Sequence, residues 1–104
     1  MEKKEIKQCK GYYITDDGKI YDSNNERVKT FKNTIGYETV EINERYYTVA
    51  YLVARAFIKN AGCMLVGYKN GDINDIRVDN LYWYYQGELD SGEDKVLYEF
   101  QFKP

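Results

Sequence analysis

The side chains that could do chemistry in this chain are concentrated in residues 66–83, Val-Gly-Tyr-Lys-Asn-Gly-Asp-Ile-Asn-Asp-Ile-Arg-Val-Asp-Asn-Leu-Tyr-Trp. Asp72, Asp75 and Asp79 fall within eight positions, and carboxylates this close could in principle ligate Mg²⁺ or Ca²⁺ through oxygen. Their spacing does not match the Asp-x-Asp-x-Asp-Gly loop with a distal Glu, so a solvated loop is the simpler reading. The 104 residues contain no histidine. A Ser/His or Cys/His nucleophile pair therefore cannot form, and no phosphate-cradling glycine motif is present. Cys9 and Cys63 stand far apart, neither in a Cys-x-x-Cys pair, and two thiols without histidine cannot complete a structural zinc site. Reduced, partly buried thiols are expected, with no metal and no cofactor. Asp16-Asp17 and Glu93-Asp94 read as a turn and a linker.

Binding chemistry is better represented. Twelve tyrosines are a large excess for this length. Most can supply core and strand faces, but in Tyr82-Trp83-Tyr84-Tyr85 a strand's alternation must send neighbours to opposite sides. Exposed tyrosine suits protein interfaces, because it offers contact area with little rotamer entropy to lose, and it can equally stack on unpaired bases. The net charge is −2, and it is uneven: 13 Lys/Arg face 12 Asp/Glu in residues 1–85, against 2 and 5 in residues 86–104. A dedicated nucleic-acid binder usually carries a basic footprint. Arg27, Lys29, Lys32, Arg45, Lys69 and Arg77, with Lys19 and Arg55, could still line one side of a chain whose total is neutral or acidic.

Several elements must position these groups. Gly11–Thr15 and Lys19–Ser23 read as a hairpin across Asp16-Asp17-Gly18, where glycine tolerates positive φ. Val28–Lys32 and Tyr37–Ile42 alternate apolar with polar and suggest a second hairpin, and Arg45–Val49 a further strand after an Asn43-Glu44 turn. In Ala50–Asn60 the period changes, because Leu52, Val53, Ala56 and Phe57 share one helical face, and Gly62 is a stop signal. Arg77–Leu81 suggests one short helical turn, with Trp83 anchoring it. Val96, Tyr98, Phe100 and Phe102 alternate as a late strand, whose edge would offer a dimer contact. Residues 1–10 read as a mobile start or short edge element. Leu52, Val53, Ala56, Phe57, Leu65, Val66, Val78, Leu81 and Trp83, joined by Ile14, Ile20, Val40 and Val49, make the expected core. The expected class is α+β: an antiparallel sheet in residues 1–49, a main helix and loop region in 50–89, and an acidic linker and terminal strand in 90–104, all in a single domain. No run suits a bilayer span, and the charged start lacks the apolar stretch of a signal peptide, so a cytoplasmic location is expected.

Three segments carry a resemblance to a known family. Tyr13–Tyr21 looks like the Tyr-x-Val-Ser-x-x-Gly-x-Val opening, and Tyr47–Ile58 like the Val-His-Arg-Leu-Val-Ala-x-Ala-Phe-Ile helix, with Ala50 in place of the histidine. Residues 66–83 resemble Val-Asn-His-Ile-Asp-Gly-Asp-x-x-Asn-Asn-Arg-Val-Glu-Asn-Leu-Glu-Trp, with Gly71, Asp72, Arg77, Val78, Asn80, Leu81 and Trp83 in register. The chain thus resembles HNH endonucleases of the homing type, which circulate in phages and mobile introns. The resemblance implies a strand pair and short helix (ββα-metal-like) around one divalent ion. It also assigns the metal position before the base to Gly67, the base to Tyr68 and the later ligand to Leu89, with Asn80 retained in an orienting role. Glycine and leucine offer no donor, and a phenol of pKa near 10 is a poor base at neutral pH. The motif reads as degenerate and histidine-free, so the chain is expected not to be an enzyme.

Two functions follow as expectations. One is a protein-binding module, an anti-CRISPR-like phage or mobile-element inhibitor that binds a host protein such as a nuclease of a bacterial defence system. It would use Tyr82, Tyr84, Tyr85, Glu88, Asp90, Glu93 and Asp94, the carboxylates imitating phosphate. The alternative is a non-cleaving DNA-binding regulator that uses Arg27, Lys29, Lys32, Arg45, Lys69 and Arg77.

Overall fold

The computed structural model describes residues 2–59 and 65–84. The first hairpin forms over shorter strands than the pattern suggested. Strands β1 (Lys3–Glu5), β2 (Tyr13–Thr15), β3 (Ile20–Tyr21) and β4 (Arg27–Val28) make one antiparallel sheet in that order. Residues 1–10 therefore supply an edge strand, and Ile6 and Cys9 behind it are buried. The turn between β2 and β3 requires its glycine twice over. Gly18 has φ +87°, and a Cβ there would lie 2.5 Å from Ile76 Cδ1 and 3.3 Å from Val49.

A second antiparallel sheet holds β5 (Phe31–Lys32), β6 (Glu38–Ile42) and β7 (Arg45–Thr48). The expected single strand at 28–32 is divided between the two sheets: Val28 pairs with Ile20, whereas Phe31 pairs with Thr39. Lys29 and Thr30 make the crossing, and the Thr30 hydroxyl bonds the Glu38 carboxylate. Between β6 and β7, Asn43 and Glu44 take φ of 54° and 66°, the left-handed pair that a two-residue hairpin turn demands.

Helix α1 (Val49–Phe57) fits between the sheets, burying Val49, Ala50, Leu52, Val53 and Ala54 against β2, β6, β7 and the later β8 (Leu65–Tyr68) and β9 (Leu81–Tyr84). It ends three residues before the expected Asn60. Ile58 is extended, its N–H still donates to Ala54 O at 2.8 Å, and its carbonyl accepts the Trp83 indole N–H at 3.1 Å. That capture turns the chain off the helical path. Gly62, proposed as the stop, lies outside the described residues. β8 and β9 pair antiparallel as a third sheet, joined through a loop and the 3-10 turn Val78–Asn80.

The core centres on Ile14, Ile20, Val40, Val49 and Val53, all at 0% exposure, and Leu65, Val66, Leu52 and Leu81 complete it. Each such side chain contributes about 1.5–3 kcal/mol by leaving water. Ala56, Phe57, Val78 and Trp83 are only partly buried at its border, while Ile42, Tyr37 and Cys9 join it. The architecture is α+β, with antiparallel sheets and one main helix. No helix among the described residues is long and apolar enough to cross a membrane. The late strand expected at 96–102 and the acidic linker lie outside the described residues.

Candidate functional site

Strands β8 and β9 present Gly67 opposite Tyr82 and Tyr68 opposite Leu81, and the chain between them is a loop pinned by one side chain. Asn80, 5% exposed, accepts the Asn70 N–H on Oδ1 at 3.0 Å and donates from Nδ2 to the Asp75 carbonyl at 2.9 Å. Its own carbonyl accepts the Lys69 N–H at 2.7 Å. Further Asx-type bonds tighten the loop: Asp72 N–H to Asn70 Oδ1 at 2.8 Å, and Asn74 N–H to Asp72 Oδ1 at 2.9 Å. Gly71, at φ +76°, closes a turn back to the Tyr68 carbonyl.

Asp72 and Asp75 are occupied by this architecture. Asp75 receives the Arg77 guanidinium on both oxygens, at 2.8 and 2.9 Å, and the Asn70 amide at 3.1 Å. The Arg77 hydrogen bonds hold the Asp75 carboxyl far below the usual range, at about 2. Arg77 is raised correspondingly by Asp75. Among the described residues, no three His, Cys, Asp or Glu side chains gather into a group able to hold a metal.

Gly67 and Tyr68, the positions that the family resemblance assigns to metal ligand and base, do not fit a divalent ion. The Tyr82 ring lies directly over Gly67: a Cβ on Gly67 would sit 2.3 Å from Tyr82 Cζ and 2.6 Å from its hydroxyl oxygen. The space for a ligand side chain is filled by phenol. Tyr68 is half-buried and stacks on Tyr37, ring centroids 6.3 Å apart at 29°, and burial raises the Tyr37 phenol. Leu89 lies outside the described residues.

The β5–β6 hairpin meets this loop. Lys32 bonds the Asn74 side chain and lies 3.5 Å from Glu38, and Ile73 packs on Gly36. Lys32 is thereby brought to the loop that carries Lys69 and Arg77. Arg45 does not join them, because it pairs with Ile42 at the opposite end of β6 and lies beside Tyr47, whose phenol is raised by its hydrogen bond with Cys9. Arg27 stands on β4 opposite Tyr21, and Lys29 lies in the crossing between sheets. Sequence reasoning missed Lys3, whose ammonium lies 4.8 Å over the Tyr21 ring, so that Lys3, Tyr21 and Arg27 share the outer face of the first sheet. Alternating cation and aromatic across adjacent strands was the available signal, but it needs the register.

Of the aromatic run, Tyr82 is 41% exposed, whereas Tyr84 is buried with its ring 5.8 Å from that of Tyr82. Trp83 turns inward to Ile58 and Tyr51. Tyr85, Glu88, Asp90, Glu93 and Asp94 lie outside the described residues.

No protein-family profile and no curated protein matches this sequence. A solved structure does match in fold: the one described as "DNA binding and cleavage by the HNH homing endonuclease I-HmuI" superposes at a TM-score of 0.76 with 21% identity, over 100% of this chain and 62% of that one. The chain thus spans less than two thirds of that protein's length. This finding corrects the expectation of no enzyme. A protein described as binding and cleaving DNA has this fold, so the replaced side chains at Gly67 and Tyr68 are no ground for excluding activity. The chain carries the fold of an HNH homing endonuclease.

Proposed function

We propose that this chain binds double-stranded DNA. The observation that carries the reading is the fold likeness to a DNA-binding and DNA-cleaving HNH endonuclease along the entire chain. Two local features support it. Lys32 reaches the loop that carries Lys69 and Arg77, and Lys3, Tyr21 and Arg27 put cations and an aromatic on one sheet face. Cations of this kind bind phosphates and set orientation, with little reading of sequence.

The test is fluorescence anisotropy with a labelled duplex, in EDTA so that hydrolysis cannot consume the probe. Affinity should fall steeply between 50 and 200 mM salt, and Lys32→Ala with Lys69→Ala should lower the logarithmic salt slope by about 2, roughly 0.9 for each phosphate no longer neutralised. Absence of binding at 50 mM salt would sink the proposal.

A second reading, an anti-CRISPR-like inhibitor that binds a host defence nuclease, draws on the 41% exposure of Tyr82 and the overall charge of −2. A complex recovered from host lysate that survives moderate salt and is lost in Tyr82→Ala would favour it over DNA binding.

A further inference from the structure

A cleft of about 640 Å³ opens between β1 and the C-terminal end of α1, lined by none of the residues that the preceding reading uses. Lys4, Lys7, Arg55 and Lys59 line it, with Phe57 in its wall. Among the described residues, carboxylates do little to neutralise these four cations. Glu2 reaches Lys4 only at 4.0 Å, and Glu5, which borders the adjoining 230 Å³ recess, accepts the Gly11 N–H at 3.0 Å and forms no ion pair with them. No described carboxylate pairs with Lys7, Arg55 or Lys59.

The helix end explains part of this concentration. The last carbonyls of α1 carry about half a negative charge, which favours one cation there and leaves the others unbalanced. Two of the four are also held by aromatic faces. Lys4 Nζ lies 5.1 Å over the Phe57 ring, and the Arg55 guanidinium lies 6.0 Å over Tyr51 while Nη1 donates to the Tyr51 hydroxyl at 3.0 Å. Such contacts orient a cation without neutralising it, so most N–H donors of Arg55 remain for a ligand. A chain of net charge −2 thus keeps a local cluster of positive groups, part of it pre-positioned, around one recess.

We propose that this cleft binds the phosphodiester backbone of nucleic acid, Arg55 acting as a fork on one phosphate and Lys4, Lys7 and Lys59 as point charges on its neighbours. The inference rests on the DNA-binding reading and adds to it a further phosphate-contacting surface, built on β1 and α1 from residues other than Lys3, Tyr21, Arg27 and the loop at 69–77. An acidic protein segment would meet the same charges, but evenly spaced backbone phosphates match the fold likeness to a DNA-binding protein.

The test compares wild type with Lys7→Ala/Arg55→Ala/Lys59→Ala by anisotropy on a labelled duplex in EDTA from 50 to 200 mM salt, with Lys19→Ala as the control, since Lys19 lines neither the cleft nor the loop at 69–77. The triple variant should bind about tenfold or more weakly at 100 mM, with a salt slope smaller by about 2–3, while Lys19→Ala matches wild type. Lys7 and Lys59 are exposed, so Lys7→Ala/Lys59→Ala, checked by circular dichroism, gives the same readout without touching packing. The Arg55 Nε–H resonance should shift on addition of duplex. Wild-type affinity and slope in both variants overturn the cleft while leaving the DNA-binding reading intact. Failure of the wild type to bind DNA overturns both. Cleft-dependent binding of polyglutamate, with DNA affinity unchanged, assigns the site to an acidic protein and also overturns the proposal.

Discussion

The ring of Tyr82 lies over the backbone of Gly67 so closely that no side chain at Gly67 fits while that ring stays in place. The two residues face each other across the β8–β9 pair, and the approach is set by strand register. Gly67→Ala is therefore expected to destabilise the fold by about 1–2 kcal/mol, the cost of overpacking moderated by a half-exposed ring that can swing outward. In a Tyr82→Ala background the same substitution should cost less than half as much. Urea unfolding of the four-member cycle measures the coupling, and additive effects would show that the ring does not exclude the side chain.

Asn80 should behave as the pin of the loop. Its amide satisfies both Asn70 N–H and the Asp75 carbonyl from a buried position, so Asn80→Ala leaves two backbone groups to find water. A loss of about 2–3 kcal/mol is expected. Hydrogen exchange should show the Asn70 amide losing protection first, with the β6–β7 ladder unaffected.

Asp75 makes the loop sensitive to acid. Its folded pKa, about 2, is depressed below the unstructured value of 3.8 by the Arg77 guanidinium. For a depressed carboxyl, the stabilisation is complete above the unfolded pKa and is lost as pH falls through the folded one, hence between about pH 4 and 2. Carbon-detected titration should place the Asp75 midpoint near 2, and Arg77→Ala should move it up toward 3.8. A midpoint unmoved by Arg77→Ala would refute the assigned cause.

Trp83 should be the stop of α1. Trp83→Phe removes the donor to the Ile58 carbonyl and part of the edge contact with Tyr51, at a cost of about 1–2 kcal/mol. Far-UV dichroism in denaturant follows the destabilisation. Amide exchange at Ile58 and Lys59 should quicken in the variant.

Much of the candidate site was legible along the chain. The register of Gly71, Asp72, Arg77, Asn80 and Trp83 pointed to an HNH-type loop, and the whole-chain fold likeness agrees. The failure was in the step from missing side chains to missing activity, because a carried-over position describes one residue and the fold describes the whole arrangement. The placement of the cations was not legible for a related reason. Lys32 and Arg45 are both exposed and basic on the same sheet, yet β6 places them at opposite ends, while Lys4 and Arg55, 51 positions apart, share a cleft.

What the sequence determined by itself was local. Gly18 and the Asn43-Glu44 pair specify turns by backbone sterics, and the spacing of Leu52, Val53 and Ala56 specifies a helix by period, because each signal involves residues close along the chain. Tertiary structure decided everything that depends on which surfaces meet: the division of residues 28–32 between two sheets, the burial of Cys9 behind an edge strand, the early end of α1 at the Trp83 indole, and the phenol over Gly67. Those outcomes are set by packing between distant segments, where the free energy of one contact depends on every other contact being in place.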